Sequence, residues 1–183
     1  MSPKFCRFIL CKLMGWTIIG EKPAEDKLVF LAAPHTSIWD FVIGYFYYRA
    51  MGGHLTTMIK KEAFVFPLKY ILRAMGAFPI DRSHPQKMLM SVIHEMQKPG
   101  TFHLVICPEG TRKPVAKWKT GYHTIATNCN IPVYLTGFDY ASKRVGIFRR
   151  YELTGTARED TDRIQEIYRS YNLTGLHKDM YIA

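Results

Sequence analysis

The chain has 183 residues, of which 48% are apolar and 14% aromatic. That is material for one domain with a sizeable core, and it excludes both a disordered chain and a second large domain. A formal net charge of +10 makes the partners anionic, whether phospholipid surface, phosphorylated acceptor, acyl-carrier phosphate or nucleic acid; charge alone does not choose among them.

The N-terminal stretch is apolar but broken by Arg7 and Lys12, and no apolar run approaches the roughly 18 residues of a spanning helix. It also lacks the cleavage site of a signal peptide. On a helical wheel Phe5, Ile9, Leu13 and Trp16 share one side, with Lys4 and Arg7 away from it. Two readings fit: a helix lying in a membrane interface, or a helix packed on the domain's own core. Residues 1–26 are therefore read as an amphipathic interface segment and residues 27–183 as the catalytic domain.

Residues 27–33 read as a buried strand and 37–51 as a helix, so His35 falls at a strand-to-helix junction. Residues 55–60 form a second strand. A helix over 62–75 contains Pro67, which kinks or splits it. A third strand follows at 77–81. Ser83 and Pro85 open a helix whose apolar residues Met88, Leu89, Val92, Ile93 and Met96 recur at helical spacing until Pro99-Gly100. A strand at 102–107 leads into a glycine turn, a helix spans 120–130, a strand 131–136, and a closing amphipathic helix 161–171. Alternating strands and helices predict an α/β fold: a central, mostly parallel mixed sheet flanked by helices, with an N-terminal amphipathic helix in front of it.

Ligands of such sheets bind beyond the carboxyl ends of the strands. His35, Arg82 and Glu109 all fall there. His35 and Asp40, five positions apart, make a base with an orienting carboxylate, the minimum for activating a hydroxyl toward acyl transfer. The spacing alone is also what a histidine flanking a helix start produces, and Arg82 pairing with Asp81 at the surface is the plain alternative to a ligand role. Cys6, Cys11, Cys107 and Cys129 have no metal-ligand or Cys-x-x-Cys spacing, which reads as a reduced cytoplasmic setting without a metal.

Four blocks in order, Pro34-His35-Thr36-Ser37-Ile38-Trp39-Asp40, Gly76 to Arg82, Cys107-Pro108-Glu109-Gly110-Thr111-Arg112 and Ile131-Pro132-Val133-Tyr134, resemble those of the glycerolipid acyltransferases, most of all the short bacterial 1-acylglycerol-3-phosphate type. Two positions depart from the pattern: Pro34 stands where asparagine is common, and Cys107 where an aromatic residue opens the block. The resemblance implies an O-acyltransferase of phospholipid biosynthesis that moves a fatty acyl chain from acyl-CoA or acyl carrier protein, as co-substrate and with no further cofactor, to the hydroxyl of a lysophosphatidate-like acceptor. His35 is then the general base and Asp40 its orienter. Arg82, Glu109, Gly110, Thr111, Arg112 and Lys119 form the acceptor-binding set, with Glu109 placed against a glycerol hydroxyl or against Arg112. The expected setting is peripheral, on the inner, anionic face of the cell membrane, with no nucleic acid.

Rival readings are the same dyad on another lyso-lipid, such as an ornithine or amino-acid lipid, and a non-catalytic basic module for membrane or nucleic acid. The second needs exposed aromatics interleaved with basic residues. Phe41, Tyr45, Phe46 and Tyr48 cluster instead in one apolar helix, and a serine hydrolase's Gly-x-Ser-x-Gly elbow is absent.

Overall fold

A computed structural model describes residues 1–81 and 83–177. In chain order the elements are α1 (Pro3–Arg7), continued by a π-helical stretch (Phe8–Leu13), β1 (Thr17–Ile19), β2 (Lys27–Ala33), α2 (Trp39–Ala50), β3 (Leu55–Lys60), a 3₁₀ turn (Lys61–Ala63), α3 (Leu68–Ala74), β4 (Ala77–Ile80), α4 (Pro85–Gln97), β5 (Phe102–Ile106), α5 (Gly121–Cys129), β6 (Val133–Asp139), β7 (Arg144–Tyr151) and α6 (Ala157–Tyr171). The strands form one seven-stranded sheet in the order β1-β7-β6-β2-β5-β3-β4. The β6/β7 pairing is antiparallel and the others are parallel, so the mostly parallel mixed sheet expected from the alternation of elements is the one observed.

β2 lies at the centre between β5 and β6, and its apolar run is continuous because both of its faces are covered. Val29, Leu31 and Ala33 pack with Val92, Trp118, Tyr122 and Ile164 on the side of α4, α5 and α6. Leu28, Phe30 and Ala32 pack with Leu10, Ile43, Tyr47 and Tyr48 on the side of α1 and α2. β2, β3, β4, β5 and β6 all point the same way, so the loops that follow them meet on one rim.

The expected helix over 62–75 is split. Pro67 cannot donate a backbone hydrogen bond, and only Leu68–Ala74 is α-helical. β1 and β7 were not expected; β7 carries Arg144, Arg149 and Arg150, yet its Val145 and Ile147 enter the core. α6 begins at Ala157 because a Thr156/Glu159 capping box starts it.

The N-terminal wheel needs a correction. The helix is π-wound from Phe8 and ends at Leu13, so a 3.6-residue periodicity does not reach Trp16. Trp16 is 5% exposed and meets Tyr140 edge-on at 5.0 Å, while Cys6 and Leu10 also turn inward and Phe5, Phe8 and Leu13 stay outside. The segment 1–26 contributes a strand of its own, β1 beside β7. Among the described residues, no helix is long and apolar enough to cross a membrane.

Candidate active site

The loop 34–38 leaves the carboxyl end of β2 and turns into α2. Asp40, in the first turn of α2, is what holds that loop. Its carboxylate is 3% exposed, and Oδ2 accepts the backbone N–H groups of Thr36 (2.8 Å) and Ser37 (2.9 Å). The Nδ1 atom of His35 lies 3.0 Å from the same oxygen, and Oδ1 accepts the Tyr140 hydroxyl at 2.5 Å. Backbone and hydroxyl donors converge on this side chain at a helix N-terminus, so both of its oxygens act as acceptors. The imidazole must therefore present Nδ1–H to Asp40, which leaves Nε2 as the atom able to take a proton.

His35 keeps a quarter of its side-chain surface open while its partner is sealed. Its proton affinity is raised above that of an ordinary histidine. The strongest upward pull is the charge of the Cys107 sulfur, burial opposes it, and hydrogen bonds to Asp40 and to the Cys107 sulfur, with the charge of Asp40, add to the rise.

Glu109 sits past the end of β5 and is 5% exposed. Its Oε1 accepts the backbone N–H of His35 at 2.9 Å, tying the two loops together, and its Oε2 is buried without a partner among the described residues. Burial pushes its pKa up to about 7, against the lowering effect of the His35 N–H and ring. A half-satisfied, buried carboxyl beside a general-base histidine is a site that a polar ligand group can complete.

The sequence model of the family described as Acyltransferase matches residues 17–136. The chain belongs to the acyltransferase family. A 1-acyl-sn-glycerol-3-phosphate acyltransferase of Streptococcus pneumoniae (strain ATCC BAA-255 / R6) is 30% identical over 112 residues, covering 56% of this chain and 42% of that protein, so the chain spans less than half of that relative's length. Among solved structures, the 1-acyl-sn-glycerophosphate (LPA) acyltransferase PlsC from Thermotoga maritima superposes with a TM-score of 0.64 over 93% of this chain and 76% of that one. At 15% identity this is a likeness of fold.

The remaining acyltransferase blocks surround the dyad unevenly. Gly110 has a φ of +70°, and a Cβ there would stand 3.2 Å from Cγ of Lys119, so the turn needs glycine. Its N–H closes the turn onto the Cys107 carbonyl, and the Lys119 N–H bonds the Pro108 carbonyl at 2.7 Å, which fixes Lys119 beside the turn with its side chain exposed. Thr111 Oγ1 accepts the Lys113 N–H at 3.2 Å, and Arg112 is exposed. Glu109 turns inward to the His35 backbone. Arg82 lies outside the described residues.

Reading the sequence missed Tyr140. It follows β6, a strand parallel to β2, and its place just past that strand's carboxyl end was the signal that could have found it. The C-terminal stretch was also missed: the His177 N–H reaches Thr36 Oγ1 at 3.4 Å, and Gly175 lies so close to Thr36 that a Cβ would stand 2.5 Å from its methyl.

Proposed function

We propose that the protein transfers a fatty acyl chain from acyl-CoA or acyl carrier protein to the hydroxyl of a lysophosphatidate-like acceptor, at the surface of an anionic membrane. One observation carries the reading: a histidine at the ligand-binding rim of a parallel sheet has its Nδ1 held by a buried carboxylate while a quarter of its side chain stays open. The acceptor hydroxyl gives its proton to Nε2 as its oxygen attacks the thioester carbonyl. The carbon–sulfur bond then breaks, and the donor thiolate leaves with the proton from the imidazolium. Base catalysis of this kind is worth about 10²- to 10⁴-fold, and positioning supplies much of the rest.

The acceptor set of Arg82, Glu109, Gly110, Thr111, Arg112 and Lys119 is carried by the family resemblance. Two features of the site support it: the exposed Lys119 and Arg112 flank the Gly110 turn, and Glu109 Oε2 offers an acceptor to a glycerol hydroxyl. The membrane reading of residues 1–26 is supported by the outward Phe5, Phe8 and Leu13 beside Lys4, Arg7 and Lys12.

The test supplies purified protein with either thioester donor and with lysophosphatidate or a phosphate-free lyso-lipid, and reads products by mass spectrometry. Phosphatidate formed by the wild type and lost in His35→Ala is the expected result. Acylation of the phosphate-free acceptor alone would overturn the acceptor assignment.

A further inference from the structure

We propose that residues 60–73, the connection from β3 to β4, form a docking wedge for an anionic bilayer beside the active-site rim. Phe66 is 78% exposed, and Val65, Leu68, Tyr70 and Ile71 are between 42% and 59% exposed, whereas of α3 only Leu72 is buried. Single exposed apolar residues are ordinary, but five large ones within seven positions form a contiguous patch of the sort that marks an interaction surface.

The charges around the patch choose its partner. Lys60, Lys61, Lys69 and Arg73 stand against one acidic residue, Glu62, and no acidic residue occurs from 63 to 74. Lys61 is engaged by Asp81 at 2.6 Å; Lys69 lies 5.0 Å from the centre of the Tyr70 ring. Long basic side chains beside exposed aromatics match the interface of a bilayer, where the rings enter the acyl boundary and the cations reach the phosphates.

Topology gives the patch its use. β3 runs parallel to β2, so residues 61–67 leave the sheet on the same rim as the His35 loop. On that rim Ile38 and Trp39, next to Asp40, are also more than half exposed. A bilayer contacted by the wedge would bring the mouth of the dyad to the interface in which an amphiphilic acceptor resides. That use of the wedge rests on the proposed acceptor; the docking itself does not.

The experiment uses the full chain and vesicles of equimolar phosphatidylglycerol and phosphatidylcholine, with phosphatidylcholine vesicles as control. The double variant Val65→Ser, Phe66→Ser is expected to lose on the order of tenfold or more in vesicle affinity at low and high salt, with an unchanged melting temperature. Lys69→Glu with Arg73→Glu is expected to lose affinity for the anionic vesicles only. In a third variant, Phe66→Trp, the added emission should shift to the blue on mixing and be quenched by brominated lipid. Turnover on a monomeric short-chain lysophosphatidate should persist in the Ser variant while turnover on vesicle-borne acceptor falls. Vesicle affinity unchanged in both double variants, or Phe66→Trp emission blind to lipid, overturns the proposal. So does unchanged vesicle affinity combined with weakened binding of acyl carrier protein, which would make this a protein-docking surface. Expected vesicle behaviour without acyl transfer to any acceptor leaves the wedge standing and sinks the acceptor reading alone.

Discussion

Two histidine–aspartate pairs with a buried carboxylate among the described residues have nearly equal length, His35–Asp40 at 3.0 Å and His123–Asp160 at 3.2 Å, and their difference shows what makes such a pair chemical. His35 spends Nδ1 on its carboxylate. His123 spends Nε2 on Asp160 and points Nδ1 at Thr127 Oγ1 at 3.4 Å, so both ring nitrogens are taken. Asp160 is fully buried and also accepts the Tyr151 hydroxyl and the Thr154 and Gly155 N–H groups at the start of α6. It clamps α5, β7 and α6 together. The first pair stands on the rim where loops after parallel strands meet; the second is wedged between helices. Position on the open rim, rather than composition or distance, separates a base from a clamp.

The contrast breaks most sharply under substitution of the histidines. His35→Ala is expected to lower turnover about a thousandfold or more with little change in melting temperature, because the ring lies at a partly open loop. His123→Ala should leave turnover per folded molecule intact. Retention of activity in the first variant, or its loss in the second, would reverse the two assignments. Asp40→Asn comes next, at about a hundredfold: an amide can present N–H where His35, Thr36 and Ser37 all donate, which misorients the ring and strains the loop.

For the clamp, the expected loss is of stability. Asp160→Asn should cost about 2–4 kcal/mol in chemical denaturation without changing turnover of the folded fraction. Burial raises the pKa of Asp160, but the hydrogen bonds from Gly155, Tyr151, Thr154 and His123 outweigh it, and the net shift is downward. A carboxyl with a depressed folded pKa stabilises fully above its unfolded pKa and loses that contribution as pH falls through the folded one. The gap between wild type and Asp160→Asn should therefore shrink below about pH 4.

How far these features could be read from sequence follows the range of the interactions. β2 and β3 were legible to the residue because a run such as Leu28 to Ala33 is apolar throughout and bounded by turns. His35 and Asp40 were legible because the pair is local, five positions apart. Tyr140 is 100 positions from the carboxylate it bonds and His123 is 37 from Asp160, so neither contact leaves a spacing to find. β1 is three residues long, and the arginines of β7 disguise two core side chains. Trp16 was misplaced by a local departure from α-helical winding that periodicity cannot report.

The rim also differs from the clamp in holding a carboxyl that lacks half its partners. Burial raises Glu109 from 4.5 to about 7. Between those values the unfolded chain is ionised while the folded one keeps its proton, so the folded state binds more protons and stability falls as pH rises, levelling above about pH 7. Glu109→Gln removes this dependence while keeping an oxygen for the His35 N–H. Relative to wild type it should gain up to about 3 kcal/mol between about pH 5 and pH 8, read by denaturant midpoints at each pH. A pH-independent difference between the two proteins would show that Glu109 is not held partly protonated.

The smallest expected effect probes how the carboxylate of the active pair is tuned. Tyr140→Phe deletes one donor to Asp40 while keeping the ring that packs edge-on against Trp16. Three contacts to Oδ2 remain, so the loop should hold, with a stability loss of about 1 kcal/mol and a turnover loss of roughly three- to tenfold. A purely structural role would end there. If the hydroxyl tunes the dyad, its removal leaves more negative charge on Asp40 and raises the proton affinity of His35 further. The rise of turnover with pH, which follows deprotonation of Nε2, should then move to higher pH in Tyr140→Phe. An unmoved pH profile would reduce Tyr140 to packing and leave the orientation of the carboxylate to its Oδ2 contacts with His35, Thr36 and Ser37.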